Sequence, residues 1–331
     1  REQRQLIQVL RGRPDLMVIQ TDKNLGPAVM TRIQYMKLCL AHLQQPKHYQ
    51  PVWTIHLKGI QQTVWKFHYA LTKACPAEKR NAQIIVANLV NTKSSQFYGL
   101  AKIHKKPLNI RPIVSSCNSP TVGLSKWLDV QLQPFLRNTW SYTRDSGSFQ
   151  EQLQQIECTP SQKLLTFDVV SLYTNVPIKE ALNNVAVMVQ KHPLFHFIVR
   201  GLQIVMTQNF FEFGDTFWKQ IQGTAMGTPC APSFASLFLA YHEQHVILPK
   251  FEKQIVKYSR YIDDVFIVWE DDPKSPYALH RFKAMLNRIP GMSWTFEEHQ
   301  DKAAFLDLWV IKHGKRSITK THEKALNLYI Y

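Results

Sequence analysis

The spacing of apolar residues changes period along the chain, and each change marks an element. Residues 33–43, 53–74 and 78–90 carry apolar positions three or four apart (Val64, Phe67, Leu71; Ile84, Ile85, Leu89), which predicts core-facing helices. Residues 121–140 repeat the pattern with Val122, Leu124, Leu128, Leu132 and Phe135, and a polar, Gly-containing loop is expected at 141–148. Ile178, Leu182, Val185 and Val189 follow Pro177 at helical spacing, and 234–248 and 280–288 complete the predicted helices. Strands are expected at 28–30, 97–100, 110–115, 163–173, 258–262, 265–269, 292–296, 305–311 and 317–319.

With 331 residues and 45% apolar composition, the chain can bury a large core, as one large or two modest domains. Its net charge of +16 comes from basic residues spread along the chain and suggests a polyanionic partner, nucleic acid before membrane. The 5 cysteines never form a Cys-x-x-Cys pair, so a reduced intracellular compartment fits better than a disulfide framework or zinc site. His104, His242 and His313 stand alone and read as structural or solvated. No apolar run is long enough to span a bilayer, and no signal peptide is visible. Opening on Arg1 without Met, and stopping at Tyr331 after an apolar stretch, is expected of a piece of a longer protein.

Several stretches offer chemistry, each with a plainer alternative. Asp22-Lys23-Asn24-Leu25-Gly26-Pro27 is explained by turn chemistry alone. The strands at 97–100 and 110–115 predict a finger with Lys102, Lys105 and Lys106 near its bend; these and Arg111 suit phosphate, Arg111 best because its planar guanidinium binds bidentately. A lysine-guarded edge strand would look the same. Asp168 interrupts a buried apolar strand, an expensive place for a carboxylate unless it is paired, hydrogen-bonded or metal-bound. Gln222-Gly223, in a stretch of two glycines and two prolines before a helix, lets backbone approach a ligand closely, or simply leads into that helix. Asp263-Asp264, between two apolar runs, reads as the turn pair of a hairpin offering oxygen ligands to a hard cation, or equally as a solvated tip.

Taken in order, these stretches resemble the reverse transcriptases, in wording most like the Penelope-like retroelement branch related to telomerase. The resemblance spans 96–311 and rests on Lys-Ile-His-Lys-Lys-Pro with Arg111-Pro112-Ile113-Val114-Ser115, on 167–177 around Asp168, on Gln222-Gly223-Thr224-Ala225-Met226-Gly227, on Arg260-Tyr261-Ile262-Asp263-Asp264, and on Phe305-Leu306-Asp307-Leu308. The Asp22-Lys23-Asn24 turn is more loosely similar to an upstream segment of that branch.

The resemblance implies an α+β right-hand polymerase fold with an antiparallel palm sheet, interleaved fingers and palm, and a truncated thumb. It divides the chain into an N-terminal extension (1–55), fingers (56–160), palm (161–176), a fingers and palm insertion (177–220), palm (221–311) and the start of a thumb (312–331). The implied activity is RNA-directed DNA synthesis from a primer 3′-hydroxyl, by Asp168, Asp263 and Asp264 with two Mg²⁺ ions, or Mn²⁺ in their place. The metals would be held by these acids and the Val169 carbonyl. Lys102, Lys105, Arg111, Val169, Tyr173, Gln222 and Gly223 would bind the dNTP, with Tyr173 excluding a 2′-hydroxyl, and Phe305, Leu306 and Asp307 would grip the primer. Implied partners are an RNA template, a DNA primer or target and dNTPs, without a membrane, in an intracellular, nuclear setting. The departure is Thr321-His322-Glu323-Lys324-Ala325-Leu326-Asn327, where relatives carry a Lys-Pro-Thr-Asp type of segment, and the resemblance does not extend to the GIY-YIG endonuclease that many relatives carry downstream. Other readings are a telomerase-like or intron-type enzyme, and an inactive or domesticated remnant that only binds nucleic acid.

Overall fold

The computed structural model of the protein describes residues 8–23 and 25–323. Residues 1–7 of the expected extension, Asn24 of the early turn, and Lys324, Ala325, Leu326 and Asn327 of the C-terminal departure, with the rest of the expected thumb start after 323, lie outside that range.

At its centre is a four-stranded antiparallel sheet in the order Trp294–His299, Lys163–Val169, Asp264–Trp269, Ile255–Tyr261. Alternation along the strands sends Leu165, Phe167, Val169, Val265, Ile267 and Trp269 to one face, where the helices close the largest core over them. Those helices include Val122–Arg137, Ile178–Val189, Phe195–Thr207, Ala231–His242 and Ala278–Leu286. Leu164, Phe266 and Val268 point the other way, into a smaller core with Phe149, Phe305 and Val310. That second core covers only part of its face. Asp168 and Asp264, further along the same two strands, continue the row beyond it.

A five-stranded sheet runs Tyr49–Val52, Thr216–Gln220, Phe210–Phe213, Ser95–Lys102, Asn109–Ser115. The expected finger is its Ser95–Lys102 and Asn109–Ser115 hairpin, with Leu100 opposite Arg111 and Lys102 opposite Asn109. Ile19, Met30, Tyr35, Cys39, Leu43 and Tyr49 share one core with Phe97, Ala101, Ile110 and Val114. Of the described part of 1–55, Tyr49–Val52 is the edge strand of this sheet, while Leu16–Gln20 and Pro27–Thr31 form a separate two-stranded sheet whose Ile19 and Met30 pack into the shared core. Likewise helices Leu57–Ala74 and Val122–Arg137, expected with the fingers, bury Val64, Phe67, Leu124 and Leu128 in the core of the central sheet.

Four local expectations change. Residues 78–90 break into short helical pieces, Pro76–Lys79, Gln83–Val86 and Leu89–Asn91, and Gln61 Nε2 and Thr92 Oγ1 both donate to the Leu89 carbonyl at 3.0 Å in the last of them. The loop at 141–148 gives way to helix Ser146–Gln154, started by a capping box in which Asp145 Oδ1 accepts from Ser148 N at 2.7 Å. The strand expected over 163–173 stops at Val169, since Ser171 turns left-handed (φ 53°) into the single helical turn Leu172–Asn175. The run 305–311 is divided by a second left-handed residue, Leu306 (φ 56°), so that Lys302–Phe305 pairs with Leu308–His313, which pairs with Arg316–Thr321. Among the described residues, no helix is long and apolar enough to cross a membrane.

Candidate active site

The Ile255–Tyr261 and Asp264–Trp269 strands pair Tyr261 with Asp264, so the turn residues are Ile262 and Asp263. This corrects the expected Asp263-Asp264 turn pair: Asp264 is the first residue of its strand. Ile262 has φ 57°, a region a β-branched residue enters at a cost of about 1–3 kcal/mol. Arg260 holds it there. Its Nη1 donates to the Ile262 carbonyl at 3.1 Å, its Nη2 to the Ser236 carbonyl at 2.9 Å, and its Nε to Glu243 Oε1 at 2.6 Å. Tyr258 Oη (2.8 Å) and Ser141 Oγ (2.7 Å) donate to the same carboxylate. Arg260 and Glu243 are 2% and 1% exposed, so each buried charge has its counter-charge and directional hydrogen bonds. A lone acid in the apolar run 234–248 was the available signal for Glu243.

Across the sheet Asp264 faces Asp168, and Asp168 faces Thr295 on its other side. The Val169 amide donates to the Asp263 carbonyl at 3.2 Å, tying the turn to the end of the neighbouring strand. Burial raises the pKa of Asp168, and the charge of Asp263 raises it further. Burial also raises that of Asp263, against the opposing effects of its own backbone hydrogen bond, Arg111 and Arg260. Val169 itself is buried. Among the described residues, no group of three or more His, Cys, Asp or Glu side chains forms a ready-made metal cage. A pair of mutually repelling carboxylates nevertheless suits Mg²⁺, which takes few protein carboxylates and completes its shell with water and phosphate.

Tyr173 lies in the Leu172–Asn175 turn, half-buried, with its phenol pKa pushed up to about 12 by burial and then by Asp263 and Tyr261. Its ring is therefore a neutral surface near the acids. The Gln222-Gly223 loop is fastened to this same turn: Thr224 N donates to the Tyr173 carbonyl at 2.6 Å, Gly223 N to Val176 at 3.0 Å, and Gln222 Nε2 to Asn175 at 3.2 Å. Gly223 has φ 77°, and a Cβ there would overlap the carbonyl oxygens of Tyr173 and Thr174. Further along, Val114 N donates to the Met226 carbonyl at 2.8 Å, joining the loop to the Arg111 strand.

Arg111 is partly exposed, and its charge reaches Asp263 and Tyr173. Its Nε contacts Asp22 Oδ1 at 2.9 Å, so the early stretch assigned to turn chemistry supplies a buried carboxylate to this site. Burial lowers the pKa of Lys102, as do the charges of Arg111, Lys105 and Lys23, while Asp22 opposes them. The structure thus brings Lys102, Lys105 and Arg111 together and adds Asp22 and Lys23.

The 305–307 segment is divided in role. Phe305 is 4% exposed and packs on Phe149 and Phe266 (ring centroids 4.6 and 5.7 Å), so its ring belongs to the core. Leu306 and Asp307 form the hairpin turn, Leu306 partly buried against the small core and Asp307 exposed, with His322 N donating to the Asp307 carbonyl at 2.8 Å.

No curated protein matches the sequence. Telomerase from Candida albicans, solved with a fragment of telomeric RNA, superposes with a TM-score of 0.64 at 9% identity, over 98% of this chain and 57% of that one. Telomerase from Candida tropicalis, truncated from its C-terminal domain, gives 0.61 at 9% identity over 92% and 63%, and the apo form 0.63 at 10% over 92% and 56%. The chain thus spans less than two thirds of the length of these structures, whose likeness carries the right-hand polymerase fold. The family model for reverse transcriptase (RNA-dependent DNA polymerase) matches residues 103–309, most of the chain and all three acids. The chain therefore belongs to the reverse transcriptase (RNA-dependent DNA polymerase) family.

Proposed function

We propose that the protein extends a primer 3′-hydroxyl with dNTPs on an RNA template, as the polymerase of a Penelope-like retroelement working in the nucleus. The observation that carries this is the union of Asp168, Asp264 and Asp263 at one end of the central sheet, with Arg111 and Tyr173 in electrostatic reach. Family membership supports the reaction class, and the wording of the motifs supports the Penelope-like branch.

Asp168 and Asp263, with the Val169 carbonyl and Asp264, would hold the metals. Bound Mg²⁺ would activate the 3′-hydroxyl and neutralise the leaving pyrophosphate. The chain's own part is positioning: Arg260 fixes the Asp263 turn, and the Val169 amide holds that turn against the Asp168 strand. Arg111, with Lys102 and Lys105, takes the triphosphate. Gln222 and Gly223 form the floor on which the base rests, and the Tyr173 ring fills the space a 2′-hydroxyl would need. Leu306 and Asp307 face the primer. Primer extension on an RNA template tests the proposal: Mg²⁺-dependent DNA product supports it, and nucleic-acid binding without any product favours the remnant that only binds.

A further inference from the structure

Building on the nucleotide reading of Arg111, we propose that the N-terminal hairpin is a working part of the nucleotide site, with Asp22 as the positioning residue for Arg111 and Lys23 as an additional phosphate-binding cation. No motif of the finger contains either residue.

The hairpin Leu16–Gln20 and Pro27–Thr31 leads its turn onto the finger through main-chain contacts: Thr21 bridges Ala101, and Asp22 N donates to the Ala101 carbonyl at 2.8 Å. Ala101 is the neighbour of Leu100, which pairs with Arg111. The carboxylate and the guanidinium are thus set against each other by backbone on both sides. Asp22 is 4% exposed, and a carboxylate buried this far costs several kcal/mol unless a cation meets it. The cation it meets is Arg111, whose own side chain remains 45% exposed. The contact uses Nε. That closest approach through Nε leaves the two terminal nitrogens, the end of the guanidinium that grips phosphate bidentately, as the groups Asp22 would orient.

Lys23 has φ 62°, a left-handed conformation that costs a non-glycine residue energy and recurs at ligand sites. Its charge acts on both Lys102 and His104, so its ammonium belongs to the same field. The charges of Lys23, Lys105, Arg111 and Asp22 all act on Lys102, and Asp22 is the one carboxylate among them, paired with Arg111, which leaves a cationic excess suited to a polyphosphate. A pair serving only to fasten the hairpin would not need a half-exposed arginine or a lysine in a strained turn beside it.

The test is dNTP KM and kcat, on one RNA template and DNA primer, for wild type, Asp22→Asn, Asp22→Glu, Lys23→Ala, Arg111→Ala and the Asp22→Asn/Arg111→Ala double variant, each with its thermal midpoint. Asp22→Asn is expected to raise KM about tenfold, a loss of ~1.4 kcal/mol, and to lower kcat far less. Asp22→Glu should recover part of the loss, and Lys23→Ala should raise KM about threefold without moving the midpoint. In the double variant the Asp22 change should add nothing to the Arg111 effect, because it acts through that residue. A fall in midpoint with wild-type KM for Asp22→Asn, or KM effects that multiply, would overturn the positioning role. Wild-type KM in Arg111→Ala would instead remove the nucleotide reading itself, and this inference with it.

Discussion

Asp168 and Asp264 stand directly opposite each other on neighbouring antiparallel strands, at the end of a face on which Leu164, Phe266 and Val268 are sealed in a core. The same strands that bury these apolar residues therefore set the position of the acids. Truncating Phe266 to Ala would cost about 3–5 kcal/mol and loosen the acids with it.

Asp168 and Asp263 both have raised pKa values, chiefly through burial. The native state thus binds their protons more tightly than the unfolded chain does. Without metal, these groups oppose folding at neutral pH, and that cost begins to shrink as pH falls through the raised folded-state values and is gone below the unfolded chain's carboxylate pKa. Asp263→Asn should raise the thermal midpoint at pH 7 in chelator, by roughly 2–4 °C per kcal/mol relieved, and should lose most of the stabilisation Mg²⁺ gives the wild type. Scanning calorimetry decides this; an unchanged or lower midpoint in chelator would contradict the electrostatic picture.

Glu243→Gln leaves the Arg260 charge buried without its counter-ion. A loss of about 3–5 kcal/mol in denaturant unfolding is expected, because removing one member of a buried pair costs far more than the pair contributes. Stability within about 0.5 kcal/mol of wild type would mean that solvent reaches this network.

Tyr173→Ala should increase ribonucleotide incorporation, read as alkali-sensitive product, whereas Tyr173→Phe should leave sugar selection intact because the ring and not the hydroxyl fills the space. Equal selection in wild type and Tyr173→Ala would end the proposed steric role.

Gly223→Ala combines a left-handed residue, about 1–2 kcal/mol for a side chain, with overlap against two carbonyl oxygens. It should push the Gln222 loop off the Tyr173 turn, lowering both extension and thermal stability. Wild-type values for both would show that the loop accommodates the methyl.

Much of this was legible in the sequence because it is local. Apolar periodicity located the helices at 178–189 and 280–288 to within two residues, and a carboxylate interrupting a buried strand marked Asp168. What the sequence concealed depends on distant partners. Asp22 reads as an ordinary turn residue until Arg111 is brought to it. Phe305 looks like part of an exposed motif until Phe149 and Phe266 close over it. The turn at Ile262 and Asp263 defies local preference, since Asp264 would suit a turn better than Ile262 does. Pairing with Asp168 and the bond from Arg260 decide the register.

The most direct measurement is RNA-templated primer extension in Mg²⁺ by wild type, Asp168→Asn and Asp263→Asn, with template and primer binding measured in parallel. Extension by the wild type, a loss of at least about a thousandfold in either variant, and retained binding are predicted. Undiminished synthesis by Asp168→Asn or Asp263→Asn would contradict the assignment of these two acids as the metal-binding centre.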